Sequence, residues 1–192
     1  CVANVPRTLL AIPVWAYAKG DASLYVNQFV GGTASLGTIN GTNVEVVQET
    51  DYPWAGEVSL TVNPTTPTAL AVKIRVLDRS VSSIYSSTPE ANGITSISLN
   101  GAIISPTITD GYATICRTWT AGDRIDLVLP MVVQRVKAIA QVAADVDRVA
   151  LQYGPVVYNI ENAGVSGDLD GYVLDPSAAL TAQFNGSLLN GV

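Results

Sequence analysis

The sequence predicts a mainly β protein: a β-sandwich of jelly-roll type preceded by one helix. Three observations carry this. Short segments with apolar/polar alternation recur along residues 43–129. Turn words separate them at close spacing, namely Pro64-Thr65-Thr66-Pro67, Asn100-Gly101, Asp110-Gly111 and Ala121-Gly122-Asp123. Only the first twenty residues carry a helical period. A two-residue alternation marks strands with one buried face, and Asn-Gly is the strongest short hairpin signal.

Val5, Leu9, Ile12 and Ala16 share one helical face, which predicts a helix over residues 5–19. Asn4 is the expected N-cap, Pro6 lies in the first turn where its missing N–H costs nothing, and Gly20 is the stop. Pro13 should kink or shorten the helix. Leu9, Leu10, Val14, Trp15 and Tyr17 occupy more than one side, as in a helix built for the interior of a larger assembly. Residues 24–30 read as a strand. In residues 43–50, Val44 and Val46 oppose Glu45 and Val47. Val58, Leu60 and Val62 alternate with Glu57, Ser59 and Thr61. Leu70, Val72, Ile74 and Val76 alternate with Ala71, Lys73 and Arg75. The Ser-rich residues 81–92 read as a long surface loop, and residues 96–99 and 103–104 as a hairpin around Asn100-Gly101. Ile115 and Trp119 share a strand face, which makes Trp119 a packing residue. Ile125, Leu127 and Leu129 share one face, with Asp126 and Val128 on the other.

The composition shifts near Pro130. Residues 131–144 are apolar but irregular, with Arg135 and Lys137 interleaved. Residues 141–149 read as strand or loop rather than as a helical turn. Gly154-Pro155 interrupts an apolar segment over 148–158, and Gly and Asp make residues 163–175 a loop.

A chain of 192 residues holds one large β domain or two small ones, and its 48% hydrophobic content can bury a sizeable core. The net charge of -6 comes without a basic cluster, which disfavours nucleic acid as a partner. No apolar run approaches the roughly 18–20 residues of a transmembrane helix, so no membrane partner is expected. No secretory signal is visible, and a chain starting at Cys1 reads as a processed or truncated piece. Two sequons, Asn40-Gly41-Thr42 and Asn185-Gly186-Ser187, favour a secreted or extracellular location. Histidine is absent, which removes the commonest general base and metal ligand.

Few constellations carry chemistry. Cys1 and Cys116 make no disulfide framework, and a bond between them requires Cα atoms within about 7 Å. Cys116 reads as a buried free thiol. Tyr52-Pro53-Trp54 invites stacking against sugar faces, with Trp15 and Trp119 adding aromatic surface; packing is the competing role for Trp54 and Trp119. Glu45 and Glu49 share a strand face about 13 Å apart, beyond the separation that inverting glycosidases use. Asp168 and Asp170 lack the twelve-residue calcium loop and read as a solvated turn.

Several words are shared with a known family. Residues 47–57 read Val-Gln-Glu-Thr-Asp-Tyr-Pro-Trp-Ala-Gly-Glu, Leu24-Tyr25-Val26-Asn27 form a strand word, and Trp119-Thr120-Ala121-Gly122-Asp123 follow. Cys1, Asn4 and Arg7 fit the second half of a Cys-Cys-x-x-Asn-x-x-Arg pattern. Together these resemble the C-terminal part of the β-L-arabinofuranosidases of glycoside hydrolase family 127 and relatives, from Cys1 to about Tyr158. The resemblance implies that residues 1–20 are the terminal helix of a truncated α/α-barrel catalytic domain. It implies a β-sandwich domain over 21–129 and part of a second over 130–192. It implies hydrolysis of terminal arabinofuranosides of plant or microbial glycans by the full-length enzyme. In such enzymes paired cysteines sit at a zinc ion; the first is the nucleophile, and Cys1 corresponds to the second, a metal ligand in the full-length context. Catalytic residues and a zinc site of its own are not expected within this stretch, which is expected to be inactive alone and to self-associate. A stand-alone carbohydrate-binding or structural β-sandwich module is the alternative.

Overall fold

The computed structural model describes residues 2–78, 82–160 and 171–187. They fall in two compact units, one within Cys1–Asp78 and Asn92–Pro130, the other within Arg79–Ala91 and Met131–Val192.

The first unit opens with helix α1, Asn4–Ala16. Ala3 holds the N-cap position without a side-chain bond, so Asn4 lies inside the helix rather than capping it. Pro13 is accommodated in the interior. The helix stops at Ala16, short of the expected Lys19, because the chain turns extended at Tyr17 and pairs with the next segment. Two backbone donors close its end: Asn27 and Gln28 N–H groups reach the Ala16 carbonyl at 2.8 and 3.3 Å. That also explains why the following strand ends at Val26 and not at Val30.

The strands are β1 Tyr17–Gly20, β2 Ser23–Val26, β3 Gly32–Ile39, β4 Thr42–Thr50, β5 Glu57–Pro64, β6 Thr68–Arg75, β7 Tyr85–Thr88, β8 Ser96–Leu99, β9 Ala102–Ile103, β10 Thr107–Thr109, β11 Tyr112–Trp119 and β12 Asp123–Val128. All but β7 build the first unit. A five-stranded sheet runs β1-β2-β6-β11-β10, antiparallel except for the parallel pair β2 and β6. A six-stranded antiparallel sheet runs β3-β4-β5-β12-β8-β9. Alternate residues of both sheets share one core, with Leu24, Val72, Ile74 and Trp119 from the first and Val46, Leu60, Val62 and Ile125 from the second. This is the sandwich that the alternation predicts. Strand β3 was not legible as a strand: it lies at a sheet edge, carries a bulge between Ser35 and Thr38, and fully buries only Ile39.

Asp123 ties the β11–β12 turn to the β8–β9 turn. It is 6% exposed and accepts bonds from Asn100 Nδ2 at 2.7 Å, the Thr120 N–H at 2.8 Å and the Thr120 hydroxyl at 3.2 Å. Arg117 stands 3.5 Å away. Burial pushes its carboxyl upward, but those hydrogen bonds and the Arg117 charge together hold it below the usual carboxylate value.

The second unit is a four-stranded antiparallel sheet, β15-β14-β13-β7, with β13 Val133–Ala138, β14 Ala150–Tyr153 and β15 Val156–Tyr158. The segment read as a surface loop over 81–92 thus supplies a strand, with Thr88 opposite Arg135. Its Ser-rich composition hides this because none of its strand residues is fully buried. Gln134 is fully buried and its amide donates to the Pro89 carbonyl at 2.6 Å. A short 3-10 turn, Ala143–Asp145, replaces the extended chain expected there. Gly154 makes the β14–β15 turn at φ +54°, with the Met131 thioether packed where a Cβ would stand.

Candidate functional site

The solvent face of the six-stranded sheet carries a groove of about 610 Å³. Its floor follows from register. Glu49 on β4 stands opposite Ser59 on β5, Ser59 opposite Asp126 on β12, and Asp126 opposite Ser98 on β8. Strand alternation puts these four on the polar face, because Val58, Leu60, Ile125 and Leu127 take the core. The row spans about 14 Å, three inter-strand spacings. Ser59, only 8% exposed, donates to Asp126 Oδ1 at 2.8 Å. Arg124 Nε donates to the same oxygen at 2.7 Å.

Residues 51–56, between β4 and β5, close one end through Asp51 and Ala55. This loop is braced. Thr50 Oγ1 donates to the Glu57 carbonyl at 2.7 Å and accepts the Tyr52 N–H at 3.0 Å. Tyr52 packs edge-on against Phe29, with ring centroids 5.9 Å apart. Trp54 and Ala55 N–H groups reach the Asp51 carbonyl at 2.8 and 3.2 Å. The Tyr52–Pro53 bond is cis. The Trp54 indole stays 51% exposed.

The residues singled out in the sequence scatter. Trp119 is fully buried and its indole N–H donates to the Leu70 carbonyl at 3.0 Å, so it is a packing residue. Trp54 is not a core residue, and Trp15, on α1, is equally exposed. Cys116 is an exposed free thiol, not a buried one: the buried face of β11 is Ala113, Ile115 and Trp119, of opposite parity. Glu45 and Glu49 both face solvent on β4, but only Glu49 lines the groove. Cys1, Asp168 and Asp170 lie outside the described residues. Asn40 is exposed in the β3–β4 turn, and its amide donates to the Ala69 carbonyl at 2.7 Å. Ser59, Ser98, Arg124 and Asp126 were not singled out. Each is the polar partner in an alternating strand, and only cross-strand register gathers them.

Among the described residues no three His, Cys, Asp or Glu side chains gather as a metal site. The sequence holds no histidine. The described residues alone therefore do not fit a zinc centre of about four ligands, and no chemistry through a metal is assigned to them.

The fold defines the class first: a two-sheet β-sandwich followed by a further β-sheet unit. Residues 23–131 match the profile of the β-L-arabinofuranosidase GH127 middle domain, and residues 133–185 that of the glycoside hydrolase family 127 C-terminal domain. The chain belongs to glycoside hydrolase family 127. It is 30% identical, over its whole length, to a non-reducing end β-L-arabinofuranosidase of Bifidobacterium longum subsp. longum, and spans 28% of that protein. Among solved structures, Ara127N, a GH127 β-L-arabinofuranosidase from Geobacillus stearothermophilus T6, is 34% identical with a TM-score of 0.85, over 98% of this chain and 28% of its own. A GH127 β-arabinofuranosidase, BT3674, is 27% identical with a TM-score of 0.89, over all of this chain and 31% of its own.

Proposed function

We propose that this chain is the C-terminal β-rich portion of a secreted enzyme that hydrolyses terminal β-L-arabinofuranosides, and that the portion alone is inactive. The observation that carries the reading is the successive match of residues 23–131 to the middle domain and of residues 133–185 to the C-terminal domain of the family. The relatives named β-L-arabinofuranosidases are more than three times as long. Residues 1–20 then belong to the end of the catalytic barrel, residues 21–129 apart from Arg79–Ala91 to the first sandwich domain, and residues 130–192 together with Arg79–Ala91 to part of a second. Cys1 then serves as one ligand of a zinc site whose other ligands lie outside these residues. The exposed apolar face of α1 supports a covering domain: Val5, Leu9, Leu10 and Val14 are 60–79% exposed.

The test uses the longer protein that contains this chain. Turnover of an aryl β-L-arabinofuranoside, with bound zinc lost and turnover abolished by Cys1→Ala, is the expected result. Full zinc content and full turnover in Cys1→Ala would remove Cys1 from the site. No turnover by the unaltered longer protein would overturn the assigned activity.

A further inference from the structure

We propose that Asn185 is a site of self-modification: the Gly186 nitrogen attacks its side chain, which passes through a cyclic imide to aspartate and isoaspartate. The inference rests on this chain's own residues and does not depend on the activity proposed above.

The sequence holds five Asn-Gly pairs, beginning at residues 40, 92, 100, 185 and 190. Glycine makes the preceding asparagine reactive because no Cβ crowds the approach of its nitrogen to the side-chain amide. Reaction also needs that nitrogen unengaged, the side chain able to move onto it, and a polarised amide carbon. Asn190 lies outside the described residues. Three of the remaining four pairs are held, each by different bonds. The Asn40 amide donates to the Ala69 carbonyl at 2.7 Å, and its N–H to the Asp21 carbonyl at 2.8 Å. Asn100 is held at three atoms. Its Nδ2 donates to Asp123 at 2.7 Å, its Oδ1 accepts the Arg124 N–H at 2.8 Å, and its N–H reaches the Arg124 carbonyl at 2.8 Å. In the third pair the nucleophile is engaged: the Gly93 N–H donates to the Leu77 carbonyl at 2.7 Å.

Asn185 has the opposite arrangement. It is exposed, and its Oδ1 accepts the Ser187 N–H at 3.1 Å and the Ser187 hydroxyl at 2.7 Å. Both donors point at the oxygen that gains negative charge when the amide carbon is attacked, and so favour that step. The same bonds fold the side chain over the turn, toward the Gly186 peptide. Among the described residues no hydrogen bond engages the Gly186 N–H or the Asn185 Nδ2.

Hydroxide takes the Gly186 amide proton, and the nitrogen bonds to Asn185 Cγ. The Cγ–Nδ2 bond breaks, and Nδ2 leaves as ammonia with a proton from water. Water then opens the five-membered imide at either carbonyl. One opening gives aspartate; the other gives isoaspartate, with the main chain running through Cγ. One water is consumed and one ammonia released, with no oxidant or reductant. The product adds one negative charge to a chain of net charge -6.

The test ages the longer protein in mildly alkaline buffer, digests it in mild acid, and follows each Asn-Gly peptide by mass, with isoaspartate located by fragmentation. Asn185 should convert about tenfold faster than Asn40, Asn92 and Asn100, a gap of about 1.4 kcal/mol in barrier, and faster as pH rises. Denaturant should collapse that gap by releasing the other three pairs. Gly186→Ala should slow conversion by crowding the nitrogen, and Ser187→Ala should slow it by removing the hydroxyl donor. Both positions are exposed, so unchanged unfolding midpoints check that the variants fold. Conversion at Asn185 no faster than at the other three pairs would overturn the proposal. So would a rate unaltered by Ser187→Ala, or a glycan on Asn185 Nδ2 in place of the acid.

Discussion

The indole N–H of Trp119 donates to the Leu70 carbonyl at 3.0 Å, from a side chain with no solvent exposure. Strand β6 hydrogen-bonds to β11 along its length, and this bond adds a side-chain contact from β11 to the same strand. Trp119 thereby fills the core with its ring and satisfies the one polar atom it buries. Trp119→Ala should cost about 3–5 kcal/mol of stability. Denaturant unfolding checks this, and a near-unchanged midpoint would remove Trp119 from the core.

Asp123 should govern acid stability. Its folded value is lowered, so its contribution is present above the ordinary carboxylate pKa of about 3.9 and is lost as pH falls through the folded value. Asp123→Ala should cost about 1–3 kcal/mol near neutral pH, because Asn100 and Thr120 lose their acceptor. The parent's stability should fall more steeply than the variant's below pH about 4, seen in unfolding midpoints across that range.

Tyr17 should limit alkaline stability. Burial pushes its hydroxyl up to about 12, and among the described residues that hydroxyl has no hydrogen-bond partner. The unfolded chain ionises first, so the Tyr17 contribution is complete below pH about 10 and is lost as pH rises from there towards 12. Tyr17→Phe should match or exceed the parent in stability at neutral pH, since it removes a buried unpaired group, and should lessen the alkaline loss. A less stable Phe variant at neutral pH would mean that the hydroxyl is bonded.

The 192-residue chain alone should self-associate through α1. Leu10 is 79% and Val14 75% exposed, and Ala16 is the only buried residue of the helix. Sedimentation at rising concentration should give rising apparent mass, reduced by Leu9→Gln, Leu10→Gln and Val14→Gln together. A concentration-independent monomer would contradict this.

What could be read in the sequence was set by burial. Strands β4, β5, β6 and β12 alternate because one face of each meets the core, and Trp119 was legible for the same reason. Strands β3 and β7 bury little, so they leave no period to read. The helix end was misplaced because pairing of Tyr17–Gly20 with Ser23–Val26 outweighs a local helical pattern. The groove was illegible because Glu49, Ser59, Asp126 and Ser98 are distant in sequence and meet only through strand register. Trp54, on the loop between β4 and β5, was visible as a word but not as an exposed residue.

Under the function proposed above, these residues serve a β-L-arabinofuranosidase without containing its complete active site. Turnover of an aryl β-L-arabinofuranoside should be measured side by side for the purified 192-residue chain and for the longer protein that contains it. The account predicts hydrolysis by the longer protein and none by the chain alone. Hydrolysis by the purified chain, lost in a Cys1→Ser variant, would contradict it.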